Sequence, residues 1–152
     1  MNYKGFAMAV LLLTGLFGCS GKLPPLPMGE PPETSIQIGD DTYATKLGTY
    51  CWGTKCVDTV GPVEMLGETE PISAKPGETI SFEVDHRPGP SAIHVEQFAD
   101  GNQIEVPAKD NQFPAPTEPG IYYYSIGAWW MDEEDENLSH GDAFYAFKIE
   151  VQ

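Results

Sequence analysis

Two stretches in the last third of the chain confine its fold more than anything else in it. Tyr122, Tyr124, Ile126, Ala128 and Trp130 occupy every second position, and Tyr145, Phe147, Ile149 and Val151 do the same nearer the C-terminus. A strand sends successive side chains to opposite faces, whereas a helix would scatter these residues around its axis. Each stretch therefore predicts a strand with one buried face. Burying side chains of this size is worth roughly 1.5–3 kcal/mol apiece, enough to matter against backbone entropy. Nowhere is there a long helical stripe, so the expected class is all-β.

The rest of the chain after residue 33 fits that class, with turn residues every eight to twelve positions, as in a sandwich. Ser35–Ile38, Gly39-Asp40-Asp41 and Thr42–Tyr50 read as a hairpin, because Gly and Asp tolerate the positive φ of tight turns. After the turn Lys75-Pro76-Gly77-Glu78, Ile80, Phe82 and Val84 alternate with Ser81, Glu83 and Asp85, giving one dry and one wet face. Ile93 and Val95, the turn Asp100-Gly101-Asn102, and Ile104 and Val106 read as a second hairpin, with an unclear register at Gln97 and Phe98.

Glu118, Gly120 and Tyr122 precede Tyr124 by the steps that, in immunoglobulin domains, lead an acidic residue, Gly and a corner Tyr up to the second core Cys. Pro76–Val151 thus resembles the immunoglobulin-like domains of bacterial surface proteins. The resemblance implies an antiparallel β-sandwich in which the Tyr122 hydroxyl bonds upstream backbone. With Tyr124 at the Cys position, it implies no inter-sheet disulfide.

The N-terminus carries an address. Lys4 and the α-amine precede an apolar run from Phe6 to Phe17. Twelve residues of helix rise only ~18 Å, short of the ~30 Å hydrocarbon core, so the run reads as a signal peptide and not a span. Its end, Leu16-Phe17-Gly18-Cys19, resembles the lipobox of bacterial lipoproteins. That implies cleavage after residue 18, acyl chains on Cys19, and a membrane-anchored protein on the extracytoplasmic face. Leu47-Gly48-Thr49-Tyr50-Cys51-Trp52 with Cys56-Val57-Asp58 is also similar to an uncharacterised group of small lipoproteins from Bacillus-like bacteria. No activity comes with that similarity.

Residues 19–33 hold Pro24, Pro25, Pro27, Pro31 and Pro32, which exclude sheet and helix alike and suggest a tether. A proline-rich motif for a partner is the alternative. Residues 34–152 are then the sandwich. The 152-residue length suits one domain, and 8 Lys+Arg against 23 Asp+Glu, a formal charge of −15, make nucleic acid and anionic lipid poor partners.

Cys51 and Cys56 form an even pair in a compartment that permits disulfides, and four intervening residues can reverse the chain between them. A redox or zinc role is the alternative, without the usual spacing for either. Asp132, Glu133, Glu134, Asp135 and Glu136, with Asp142 beyond, read as a solvated loop tip or as oxygen ligands for calcium, though without EF-hand spacing. His86, His94 and His140 are too dispersed for a zinc motif, and His94 alternates with Ile93 and Val95 onto a wet face. Trp52, Trp129 and Trp130 are either core or a ligand platform, with Trp129 and Trp130 facing opposite ways.

No nucleophile elbow, phosphate loop or metalloprotease motif is present, and no cofactor is called for. The expectation is a non-enzymatic lipoprotein that binds an extracellular protein, peptide or cell-wall component at the sheet end near the acidic loop. Two alternatives stand beside it. One is a calcium- or metal-binding module; the other is a glycan-active enzyme with two acids about 5–9.5 Å apart.

Overall fold

The computed structural model describes Leu26 and residues 29–152; the expected signal peptide and Cys19 lie outside the described residues. Eleven strands follow in chain order: β1 (Thr34–Ile38), β2 (Asp41–Ala44), β3 (Lys46–Trp52), β4 (Lys55–Val57), β5 (Ile72–Ala74), β6 (Thr79–Val84), β7 (Ala92–Ala99), β8 (Asn102–Val106), β9 (Gln112–Pro114), β10 (Gly120–Met131) and β11 (Ser139–Val151). One short helix among the described residues, α1 (Pro62–Leu66), lies between β4 and β5. The smaller sheet has the order β2-β1-β6-β9 and the larger β4-β3-β11-β10-β7-β8. The described residues form an all-β sandwich.

From Ile72 onward the strands divide between the two sheets. β6 and β9 pair in one sheet, while β7, β10 and β11 lie side by side in the other. β5 crosses over to pair parallel with the end of β11. The Tyr122 hydroxyl donates to Glu118 O at 2.9 Å, which ties the entry of β10 to the turn before it as the corner motif implies. The earlier strands widen both sheets: β1 and β2 extend the smaller one beside β6, and β3 and β4 extend the larger one beside β11.

The alternating residues meet in one core. Tyr124, Ile126, Ala128 and Trp130 of β10 and Tyr145, Phe147, Ile149 and Val151 of β11 face Ile36, Ile80, Phe82 and Val84 of the smaller sheet, all buried. Tyr124 stacks on Phe147, with ring centroids 4.8 Å apart and planes 8° from parallel. Asp100 and Gly101, both at positive φ, make the tight turn between β7 and β8.

Three expectations change. Thr42–Tyr50 is not one strand. The chain leaves the smaller sheet at Thr45, whose N–H and hydroxyl both donate to Thr34 O, and enters the larger sheet as β3. A register shift between Ala143 and Tyr145 of β11 then takes up an extra residue around Gly48, so that Leu47, Tyr50 and Trp52 all face inward despite their mixed parity. The tether is shorter than residues 19–33. Leu26 packs on the core, Pro31 is buried, and Pro32 O accepts the Tyr145 hydroxyl at 2.8 Å, because the rim of the sandwich offers apolar surface and a buried donor. The third change is α1, too short to show a helical period. Gly61 precedes it, Pro62 opens it and Leu66 is its buried anchor.

Candidate binding site

β3, β11, β10, β7 and β8 turn a second set of side chains away from the core. Strand register places Phe144, Gly127 and His94 in one row across this outer face; Ala146, Ser125, Glu96 and Glu105 in the next; and Lys148, Tyr123, Phe98 and Gln103 in a third. Such a face is ordinarily polar, yet Phe144, Ala146 and Phe98 give this one an apolar floor.

α1 covers one end of that floor. A five-residue helix leaves nearly all its C-terminal carbonyls without partners, and two lysines supply them. Lys46 Nζ donates to Met65 O at 3.2 Å and Lys148 Nζ to Gly67 O at 3.1 Å. Lys148 is only 7% exposed and its ammonium also lies 5.6 Å from the centre of the Tyr123 ring. Both lysines thereby help to hold the helix down.

Between α1 and Trp129 the face is open. One recess of about 290 Å3 runs from Val60, Pro62 and Met65 over Ala146 and Ser125 to Phe98 and Glu96. A second, of about 260 Å3, shares Glu96 and Phe144 with it and is completed by Trp129, Gly127, His94 and Glu105. The two adjoin at Glu96 and Phe144, and the pair is called the groove.

Trp129 owes its position to a missing side chain. Its indole leans along β10 until its benzo edge lies over Gly127, where a Cβ would stand 2.5 Å from Cη2 and 2.7 Å from Cζ3. Phe144 and His94 flank the indole edge to face, at centroid distances of 5.2 and 5.3 Å. The Gly127→Ala variant should thus displace Trp129 without touching the core, since the clashing atoms are the far end of a rotatable ring. A red-shifted tryptophan emission with stability changed by no more than about 1 kcal/mol is the expected result.

The carboxylates stand side by side on the β7–β8 wall. Glu96 and Glu105 are direct cross-strand partners. Glu96 Oε1 accepts Gln103 Nε2 at 2.7 Å, and Glu105 Oε1 accepts the His94 Nδ1–H at 2.9 Å. Their second oxygens accept no hydrogen bond from the described residues. Both acids line the second recess from neighbouring strands, β7 and β8.

The other candidate residues lie elsewhere. Trp52 and Trp130 are 2% exposed and pack edge to face at 4.7 Å, with His86 5.5 Å from each. They close the end of the core and cannot stack on a ligand, which leaves Trp129 as the only one of the three with accessible surface. His86 donates from Nδ1 to Pro88 O, which also accepts Trp130 Nε1. Cys51 and Cys56 are joined by a disulfide across the β3–β4 hairpin, with Cα atoms 4.1 Å apart. That is closer than the usual range because the two residues are in direct register.

The acidic loop folds on itself. Asp132 Oδ1 accepts the backbone N–H groups of Glu134 and Asp135, and these bonds, with the His140 Nε2–H on Oδ2, hold its carboxyl below the usual carboxylate range. Asp135 likewise accepts the Asn137 N–H, while Glu133, Glu134 and Glu136 are exposed. Asp142 sits apart, beside Cys51, and desolvation by burial pushes its carboxyl upward. Among the described residues no three His, Cys, Asp or Glu side chains are grouped so as to hold a metal ion.

Sequence reasoning missed the groove because its best marker, Phe98, fell where the β7 register was unclear. Gln97 points inward to accept the Tyr124 hydroxyl at 2.8 Å, and a polar residue in an inward position hides the alternation. No family model, curated protein or solved structure matches this chain.

Proposed function

We propose that this protein is an acyl-anchored extracytoplasmic lipoprotein that works as a non-enzymatic binding module, presenting the outer face of its larger sheet to a protein, peptide or cell-wall ligand. The observation that carries the reading is the groove itself. Apolar side chains on an outer sheet face cost solubility and contribute nothing to the core, so two adjoining recesses, one lined by Met65, Phe98 and Phe144 and the other by Trp129 and Phe144, are surface suited to a partner.

Two further features support it. The Cys51–Cys56 disulfide suits an oxidising compartment. The lipobox and the short remaining tether suit a domain held close to a membrane, and several acyl chains on one residue meet the requirement for stable attachment. No helix among the described residues is long and apolar enough to cross a bilayer.

Replacing Cys19 by Ser tests the reading. The wild-type chain should partition with membranes and label with palmitate, and the variant should appear in the soluble extracytoplasmic fraction without label. Unchanged membrane partition of the variant would defeat the anchor.

A further inference from the structure

Resting on that reading, we infer that the groove's ligand is an extended basic peptide of a protein partner, with a lysine or arginine side chain seated between Trp129 and the Glu96–Glu105 pair and apolar neighbours lying along Phe144, Phe98 and Met65.

The charge argues for a cation. Like charges directly opposed across two strands destabilise a sheet, and Glu96 and Glu105 are so opposed. One oxygen of each carboxylate accepts no hydrogen bond from the described residues, and no Lys or Arg is among the residues lining either recess. Lys46 and Lys148 are held by the carbonyls of Met65 and Gly67, so within the molecule only the His94 Nδ1–H on Glu105 and the Gln103 amide on Glu96 offset the repulsion. A basic side chain entering from outside would relieve it. The formal charge of −15 adds long-range attraction for the same kind of partner.

The walls argue for the rest. Trp129 and Phe144 present aromatic rings beside the carboxylates, and cations are attracted to such rings as well as to the acids. Beyond the carboxylates the lining turns apolar through Phe98, Ala146, Met65 and Val60. A lone ammonium ion would leave that length unused, whereas an extended peptide with a basic residue and apolar residues two and four positions further on would turn all three toward it. His94 has its Nδ1–H engaged by Glu105, so it steadies one carboxylate and does not compete for the ligand.

The test is calorimetric titration of the full-length chain with the blocked peptide Ser-Lys-Ser-Val-Ser-Val-Ser, which when extended turns the lysine and both valines to one face, and its counterpart with norleucine in place of lysine. The lysine peptide should bind about tenfold more tightly or better, and more weakly as salt rises from about 0.05 to about 0.5 M. The Glu96→Gln/Glu105→Gln double variant should lose about tenfold in affinity while melting at a higher temperature than wild type, since the opposed charges are gone. A merely structural role for these acids would lower both. Equal affinity for the two peptides, unchanged affinity of the double variant, no binding of the lysine peptide up to about 5 mM, or displacement of it by phosphatidylcholine vesicles would each overturn the inference. Membrane partition of the Cys19→Ser variant is a separate readout, so failure of the peptide and failure of the anchor are distinguishable.

Discussion

Trp130→Ala is expected to remove about 3–5 kcal/mol of stability, whereas Trp129→Ala, one position earlier, should remove no more than about 1. The contrast follows from the pleat. Trp130 points between the sheets, is 2% exposed, meets Trp52 edge to face at 4.7 Å and donates its indole N–H to Pro88 O at 3.1 Å. Truncation leaves a void walled by Trp52 and His86 that the long strands β10 and β11 cannot collapse to fill. Pro88 O keeps His86 as a partner, so most of the loss is packing and not an orphaned carbonyl. A domain of this size holds only about 5–15 kcal/mol in total, and the variant should therefore unfold at far lower urea. Trp129 rests outside on Gly127, and removing it uncovers strand backbone without opening the core. Urea titrations followed by far-ultraviolet circular dichroism measure both. Equal losses would mean that the outer aromatic row is structural, and the case for a binding groove would fall with it.

That contrast was legible in the sequence, because a strict two-residue period assigns Trp129 and Trp130 to opposite faces whatever the fold around them. The corner at Tyr122 was legible for a similar reason: its spacing from Glu118 and Gly120 is local, and so is the bond it makes. What stayed hidden depends on contacts remote in sequence. The sheet change at Thr45 is settled by Thr34 O, eleven residues away, and the parity slip around Gly48 by its pairing with β11 nearly a hundred residues on. The docking of Pro31 and Pro32 needs the Tyr145 hydroxyl, which no proline count reveals. Prolines forbid regular structure without forbidding packing, and the two are different constraints. The groove was hidden twice over. Gln97 broke the alternation that would have turned Phe98 outward, and the lysines that fasten α1 come from two strands far from it in the chain.

Stability should hold from neutral pH to about pH 10 as far as the core tyrosines determine it, then fall steeply toward pH 12, ahead of any ionisation visible in the folded protein. Tyr124 is fully buried and donates to Gln97 Oε1; Tyr145 is 1% exposed and donates to Pro32 O. Burial disfavours the phenolate in both. It pushes Tyr145 up to about 12, against a smaller opposing effect of the Thr34 hydroxyl, and it raises Tyr124 further above the ordinary phenol range. In the unfolded chain both phenols ionise near pH 10. Above that pH the unfolded state releases protons that the folded state keeps, so the equilibrium shifts toward unfolding as pH rises. The contribution is whole below pH 10 and for Tyr145 is spent by about pH 12, a loss on the order of 2 kcal/mol for that residue alone. Tyr145→Phe separates this from general alkaline damage. At pH 8 the variant should be less stable by about 1 kcal/mol, the worth of the bond to Pro32 O. Lacking one of the titrating phenols, it should lose less as pH rises, and its curve should cross that of the wild type before pH 12. Urea midpoints at intervals from pH 8 to 12, with tyrosinate absorbance followed in parallel, read both quantities. Curves that stay parallel would show that the Tyr145 phenol ionises as readily in the sandwich as in the open chain, and would remove burial as the force that sets it.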